Sequence, residues 1–147
     1  MDIPINVDLP QAISIPNEYV PDQKVRIRLY RRMAEIPDES SLDAFEEELI
    51  DRFGPLPEAV KNLIFQIRVK IRGKRANLAS IGVEAGQIVL RFPSAGNKKT
   101  AKRFHDLDAD VRGGKNSYWC TFGRNPNWQE RLLSVLDTLA LNKPALF

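Results

Sequence analysis

The chain has 147 residues, enough for one domain with a hydrophobic core or for two small lobes. Hydrophobic residues make up 43% and charged residues 28%, no apolar run approaches the roughly 20 residues that span a bilayer, and we identify no secretion signal. The net charge of +3 does not by itself indicate nucleic-acid binding, and the single cysteine, Cys120, excludes an internal disulfide and fits a reducing cytoplasm.

Residues 1–21 form an extended segment in this prediction, because four prolines exclude a helix. Apolar residues alternate with other residues along it, as in a strand. Prolines cannot donate to a strand ladder, so the pattern indicates an edge strand. We expect its apolar side chains to fix the segment onto the domain.

Residues 22–36 are predicted to form a helix that is capped by Asp22. One face is apolar, while Lys24, Arg28 and Arg31 gather on the opposite side with Arg32 beside them. Arg26 falls inside the apolar arc. Either its stem packs while its guanidinium reaches the edge, or it forms a buried ion pair with a carboxylate of the next helix.

The next helix is short and acidic, and its ends are marked in the sequence. Ser40 is the predicted cap, with Asp43 placed to return the hydrogen bond. Gly54 and Pro55 end the helix. Its apolar residues share one face, and Glu47, Glu48 and Asp51 share the opposite face. Such a concentration of like charges indicates either a solvated surface or a site for a basic partner.

A third helix is predicted from Pro57 to about Ala76, with apolar residues on two sides, so we expect it to be packed on two sides. Between these sides runs a basic stripe, for which the alternatives are a solvated face and phosphate contact. The stripe consists of Lys61, Arg68, Arg72 and Arg75.

The composition changes near residue 77, where short strands replace long helices. We predict a hairpin around 84–86, a short basic helix over 97–105, further strand at Val111 and 118–122 separated by a Gly113–Gly114 turn, and a last helix from Pro126 to about Leu141. The predicted fold class is therefore α+β: an extended segment and three helices, then a small antiparallel sheet with two further helices. We expect residues 22–147 to form a single domain, with a helical part over 22–76 and a mixed part over 77–147.

Catalytic and cofactor motifs are missing from the sequence. It contains no nucleotide-binding P-loop and no dinucleotide glycine fingerprint. Cys120 and His105 are each isolated, so we predict no metal site, no cofactor and no catalytic residue. Lys98, Lys99, Lys102 and Arg103 form the best candidate for nucleic-acid contact, with a solvated basic helix as the alternative.

The first half of the chain resembles the carboxy-terminal domain of the bacterial transcription-repair-coupling factors (Mfd). The resemblance covers roughly residues 5–75 and is carried by ordered motifs, and 77–147 are assigned by continuity. The motifs are Val7-Asp8-Leu9-Pro10, Ile15-Pro16, Tyr19-Val20-Pro21-Asp22, Arg26-Ile27-x-Leu29-Tyr30-Arg31-Arg32 and Glu48-Leu49-x-Asp51-Arg52-Phe53-Gly54-Pro55-Leu56-Pro57.

This resemblance implies a non-catalytic regulatory domain within a much larger bacterial, cytoplasmic, ATP-driven DNA translocase. In that family the domain docks on an amino-terminal module that resembles UvrB and covers the UvrA-binding surface until RNA polymerase is engaged. The motor domains would lie upstream. We expect Met1 to be a start codon added to a fragment, and Phe147 to lie at or near the end of the full protein.

Two hypotheses about function follow. In the first, Glu48 and Asp51, supported by Glu47, form the intramolecular contact with an arginine-bearing partner. In the second, the chain is a nucleic-acid-binding module that uses basic residues 68–75 and 98–103. We expect a monomer, because no heptad repeat or other self-association signal is present.

Overall fold

The computed structural model describes residues 5–93 and 107–142. Within them the order of elements is strand, three helices, two hairpins, a short 3₁₀ turn and a last helix. They are β1 (Asn6–Val7), α1 (Gln23–Glu35), α2 (Glu39–Phe53), α3 (Glu58–Arg75), β2 (Ser80–Glu84), β3 (Gln87–Arg91), β4 (Val111–Gly114), β5 (Ser117–Cys120), the 3₁₀ helix Thr121–Arg124 and α4 (Trp128–Leu141). The predicted α+β class is confirmed.

The chain divides into two compact units. Pro10–Ile71 form one, which we call the helical unit. The residues up to Leu9 and from Arg72 onward form the other, which we call the sheet unit. The sequence of α3 therefore continues from one unit into the other.

The core of the helical unit is built from the extended segment and the three helices. Each helix contributes an apolar stripe, as the periodicity predicts. The extended segment adds Ile15 and Val20, which confirms that its apolar side chains are buried, although Ile13 is exposed. The buried residues of this cluster are Ile15, Val20, Leu29, Met33, Leu42, Phe45, Leu49, Val60 and Ile64.

The sheet unit contains a five-stranded sheet in the order β1-β2-β3-β5-β4. β1 is an edge strand, as predicted, and pairs in parallel with β2, whereas the other pairs are antiparallel. The β2–β3 hairpin turns at Ala85 and Gly86, which both have positive φ, the pattern of a type I′ turn. In α3, Gly73 lies against Ile5 and Ile81, where a Cβ would come within 2.6 Å of Ile5 Cδ1.

Two predictions in this half were wrong. Gly113 and Gly114 lie inside β4, and the chain turns instead at Lys115 and Asn116, because Asn116 adopts a left-handed φ of 54°. Its side-chain amide also donates to the carbonyl of Phe92 at 2.8 Å, which fixes the turn. Strand β5 ends at Cys120, and Thr121–Arg124 form a 3₁₀ turn. The predicted helix over 97–105 lies outside the described residues.

The predicted cap of α2 was also wrong. Asp38, and not Ser40, caps the helix, and its side chain accepts a hydrogen bond from the backbone N–H of Ser41 at 2.7 Å. Asp38 thus satisfies one of the free donors of the first turn. The predicted end is confirmed, since Gly54 has φ 90° and its N–H donates to the carbonyl of Ile50. The cap of α1 at Asp22 is confirmed as well.

Arg26 follows neither interpretation fully. Its side chain is half-buried, and its Nη1 donates to the backbone carbonyls of Val20 and Pro21 at 2.7 and 3.0 Å. The predicted ion pair with the second helix is not among its contacts with described residues. Carbonyl oxygens of the preceding turn therefore solvate the charge, which explains how an arginine is tolerated beside the apolar stripe.

Candidate docking site on α2

Helix α2 exposes two carboxylates on a face opposite to its buried stripe. Leu42, Phe45 and Leu49 are at most 3% exposed, whereas Glu47 and Asp51 are exposed. Neither carboxylate forms an ion pair or hydrogen bond with a described residue. Ile50, one turn after Glu47 and beside the two carboxylates, has 43% of its surface exposed. We call Glu47, Ile50 and Asp51 the acidic face.

Glu48 is held by two arginines of the same unit. Arg32 of α1 donates from Nη1 to Oε2 at 2.6 Å and from Nη2 to Oε1 at 2.8 Å, and Arg52 donates to Oε2 at 3.0 Å. The guanidinium groups also lie over the rings of Phe45 and Phe53. This two-armed contact fixes α2 against α1 with more geometric definition than a single exposed ion pair.

The two arginines change the pKa of Glu48. The hydrogen bond from Arg32, assisted by the bond from Arg52, outweighs partial burial and lowers the pKa from the ordinary value of 4.5 to about 2. Glu48 is therefore charged at neutral pH. Both of its oxygens already accept hydrogen bonds, so it lies beside the acidic face as an occupied carboxylate.

We expect this pKa shift to appear as an acid-dependent loss of stability. A lowered folded-state pKa stabilises the fold at pH values above about 4.5, and this contribution is lost as the pH falls toward about 2. The effect should be modest, because 35% of the Glu48 side chain is exposed. Urea unfolding of wild type and Glu48→Gln across this interval checks it. The difference in unfolding free energy should shrink as the pH falls, and a constant difference would contradict the assignment.

The carboxy-terminal end of α2 is fixed by Tyr19 of the extended segment. Its hydroxyl shares its one hydrogen between the carbonyl oxygens of Leu49 and Gly54, at 3.1 and 2.8 Å, and its ring packs on Phe53 with centroids 5.7 Å apart. The carbonyl of Gly54 lies beyond the last residue of α2 and has no partner within the helix. The hydroxyl thus satisfies this end of α2 and holds the acidic face in place.

Arg68 of α3 binds the remaining acidic residues of α2. Its guanidinium donates to Glu39 at 3.1 Å and Asp43 at 2.7 Å, and lies 3.9 Å from Glu46. Burial lowers the pKa of Arg68, but the hydrogen bonds to Asp43 and Glu39 outweigh it and raise the pKa. Asp43 therefore serves as an interhelical ligand and does not return a cap bond.

The basic stripe of α3 is largely engaged within the chain. Besides Arg68, Arg72 donates to Asp137 at 3.1 Å, and Arg75 also interacts with other groups. Only Lys61 of the four stripe residues has an exposed side chain without an ion pair to a described residue. These contacts leave Arg68 and Arg72 less available to phosphate, whereas Lys70 in the same stretch is exposed. The other candidates for nucleic-acid contact, Lys98, Lys99, Lys102 and Arg103, lie outside the described residues, as does His105.

Cys120 is fully buried, and burial raises the pKa of its thiol to about 12, so the reactive thiolate is disfavoured. Among residues 5–93 and 107–142, no group of three His, Cys, Asp or Glu side chains could hold a metal ion. No helix in this part of the chain is long and apolar enough to cross a bilayer.

A shallow groove of about 340 Å³ runs between α1 and α2 beside Glu48. Its lining mixes charged, polar and apolar groups. The residues are Arg32, Glu35, Ile36, Pro37, Ser41, Ala44, Phe45 and Glu48. The groove is open, and Glu48 at its side already accepts hydrogen bonds from Arg32 and Arg52.

The sequence points to Glu47, Glu48 and Asp51 but not to their neighbours in space. The i,i+4 spacing of Glu48 and Arg52 was a usable signal for their ion pair. Nothing local indicated Arg32, which lies 16 residues away from Glu48 in the chain. Ile50 was not singled out, because its exposure depends on which side of α2 packs against the rest of the helical unit.

The fold places the chain in a known class of small α+β domains. A solved crystal structure of the C-terminal domain of a transcription-repair coupling factor superposes with a TM-score of 0.70, covering 93% of this chain and 92% of that chain, at 19% sequence identity. The TRCF domain model matches residues 9–103, which is more than half of the chain. The chain belongs to the TRCF domain family.

Similar curated proteins are whole transcription-repair-coupling factors. The one from Rickettsia prowazekii is 33% identical over 87 residues, covering 59% of this chain and 8% of the relative. That from Haemophilus influenzae is 33% identical over 85 residues and that from Escherichia coli is 30% identical over 84 residues, each covering 56% of this chain and 7% of the relative. The chain thus spans less than a tenth of the length of these relatives.

Proposed function

We propose that this chain is a non-catalytic regulatory domain of a bacterial, cytoplasmic transcription-coupled DNA repair translocase. It docks on the UvrB-like amino-terminal module of the same protein and masks the surface that UvrA would bind until RNA polymerase is engaged. The family membership and the names of the relatives support the setting. DNA is handled by the motor of the whole protein and not by this domain.

The acidic face is the observation that carries this proposal. Two exposed carboxylates without an ion-pair partner in the described part of the chain lie beside an exposed isoleucine, on a helix held at both ends. An arginine-bearing partner with an apolar contact residue complements such a face, because guanidinium–carboxylate bonds are directional. Exposed pairs contribute about 1 kcal/mol or less each, so the contact is reversible, as a latch requires.

Glu47, Glu48 and Asp51 have different roles in this proposal. Glu47 and Asp51 contact the partner's arginines directly. Glu48 is already bound to Arg32 and Arg52, so it holds α2 in position and adds negative potential beside the contact. A partner arginine that reached Glu48 would have to share an oxygen with these two residues.

The docking proposal predicts that reversing the charge of the acidic face weakens binding to the partner module. We expect this chain to bind the isolated UvrB-like module of its parent protein in titration calorimetry. Glu47→Arg/Asp51→Arg should remove at least tenfold in affinity, which corresponds to about 1.4 kcal/mol. Both side chains are exposed, so the variant should keep its fold.

Lys61→Glu/Lys70→Glu is the matched control, because it also reverses two exposed charges of the helical unit but lies on α3. Equal binding by wild type and the acidic-face variant would contradict the proposal. In the whole protein, the acidic-face variant should also increase UvrA binding in the absence of polymerase. UvrA binding equal to that of wild type would show that α2 does not mask the surface.

A further inference from the structure

The outer face of α1 carries a second charged surface of opposite sign. Lys24, Arg28 and Arg31 are exposed, and none forms an ion pair or hydrogen bond through its side chain with a described residue. Other arginines of the helical unit are engaged by carboxylates or carbonyls, as shown for Arg26, Arg32, Arg52 and Arg68. Ile27 lies among the free cations with 43% of its surface exposed. We call Lys24, Ile27, Arg28 and Arg31 the basic face.

The basic face and the acidic face match in spacing. Lys24, Ile27 and Arg28 stand at positions i, i+3 and i+4 of α1, and Glu47, Ile50 and Asp51 stand at the same spacing on α2. Residues at this spacing share one side of a helix. Each face therefore presents an exposed isoleucine beside two like charges, and the charges of the two faces are opposite.

The two faces belong to neighbouring helices but do not neutralise each other. Arg32 and Glu48 join α1 to α2 along their sides. Each face lies opposite the buried stripe of its own helix, marked by Leu29 in α1 and Leu49 in α2. Both faces are thus directed to solvent, and a partner from outside is needed to cover them.

We propose that two copies of this chain associate through these faces, with the basic face of α1 on the acidic face of α2 of the other copy. Each copy supplies one basic face and one acidic face, so one such contact joins two copies. Ile27 of one copy then meets Ile50 of the other beside the ion pairs. The contact is small and exposed, so it is weak and sensitive to salt.

A nucleic acid is a less suitable occupant of the basic face. The helical unit, Pro10–Ile71, has nine lysines and arginines against eleven aspartates and glutamates, so its net charge is negative despite this face. A phosphate backbone is an extended array of negative charge and would also meet the field of α2. A compact acidic patch with one apolar residue matches the basic face without this repulsion.

Self-association uses the same α2 face as the proposed docking contact, so the two contacts exclude each other. Chains that are docked on the UvrB-like module cannot pair, and chains that are released can. The inference does not depend on the docking proposal, because the basic face belongs to self-association alone.

The test measures the weight-average mass by sedimentation equilibrium, from low micromolar to millimolar concentration. The mass of the wild type should rise from 16.7 kDa toward twice that value at low ionic strength, and the rise should disappear at high salt. Lys24→Glu/Arg28→Glu makes both faces acidic, and Glu47→Lys/Asp51→Lys makes both faces basic. Each variant alone should remain at 16.7 kDa.

An equimolar mixture of the two variants is the decisive sample, because every contact is again complementary and the mass should rise as for wild type. Lys61→Glu/Lys70→Glu is the matched control, because it reverses two exposed charges on α3 but keeps both faces, and its mass alone should rise as for wild type. A wild type that stays at 16.7 kDa at every concentration overturns the proposal. The proposal is also overturned if the wild type binds duplex DNA and Lys24→Glu/Arg28→Glu abolishes that binding. The basic face would then be a phosphate site.

Discussion

The Leu49→Ala variant should unfold with a free energy about 2–5 kcal/mol lower than that of the wild type. Leu49 is 1% exposed and belongs to the buried cluster of the helical unit. Truncation removes its apolar contacts and leaves a cavity that the surrounding helices fill only in part. Urea unfolding followed by circular dichroism measures the change.

Ile50→Ala is the matched control for this prediction. It removes a side chain of similar size from the next position of the same helix, where 43% of the surface is exposed. We expect the free energy of unfolding to change by less than about 1 kcal/mol, since exposed positions contribute little. Equal losses in the two variants would show that α2 does not face the core as described.

Replacing Arg68 by alanine should lower the free energy of unfolding by about 2–4 kcal/mol. Its guanidinium neutralises Glu39 and Asp43 and lies near Glu46, and 19% of the arginine side chain and 18% of Glu39 are exposed. Without it, a mostly buried carboxylate loses its counter-charge and several acidic side chains repel one another. The estimate lies below that for fully buried pairs because Asp43 is 61% exposed.

The comparison with Lys61→Ala isolates this effect. Lys61 lies two turns earlier on α3, is exposed and has no ion pair with a described residue. Its removal should leave the free energy of unfolding within about 0.5 kcal/mol of wild type. If Arg68→Ala lowered the free energy of unfolding as little as Lys61→Ala, water and not Arg68 would stabilise the carboxylates of α2, which would contradict this prediction. Adding Glu39→Gln to Arg68→Ala should restore part of the stability.

The helices and their buried faces could be predicted from the sequence, because a period of 3.6 residues is set by local geometry. The end of α2 was equally local, since Gly54 and Pro55 mark it in the sequence. The start of α2 could not be predicted locally, because Asp38 and Ser40 are both suitable caps. The side chain of Asp43 accepts a hydrogen bond from Arg68 and so does not return a cap bond. The choice between them depends on a helix 25 residues away from Asp43 in the chain.

The acidic residues of α2 could be found from charge alone, but their differences could not. Glu47, Glu48 and Asp51 look alike in the sequence, yet only Glu48 lies beside Arg32 of α1. The ion pair of Glu48 with Arg32 follows from the packing of α1 against α2, which the sequence does not show. Gly113 and Gly114 were predicted to form the turn after β4, but Asn116 adopts the left-handed conformation that glycine usually provides.

The parallel pairing of β1 with β2 affects the order in which the chain can fold as it is made. Asn6 pairs with Ser80 and Val7 with Ile81, and all of Pro10–Ile71 lies between these partners in the chain. A ribosome adds roughly 5–20 residues per second, so β1 is exposed for several seconds before its neighbour exists. During that time the helical unit can fold, because all of its residues are synthesised before β2. Strand β1 is kept to two residues, and so short an unpaired edge offers little template for pairing with another nascent chain.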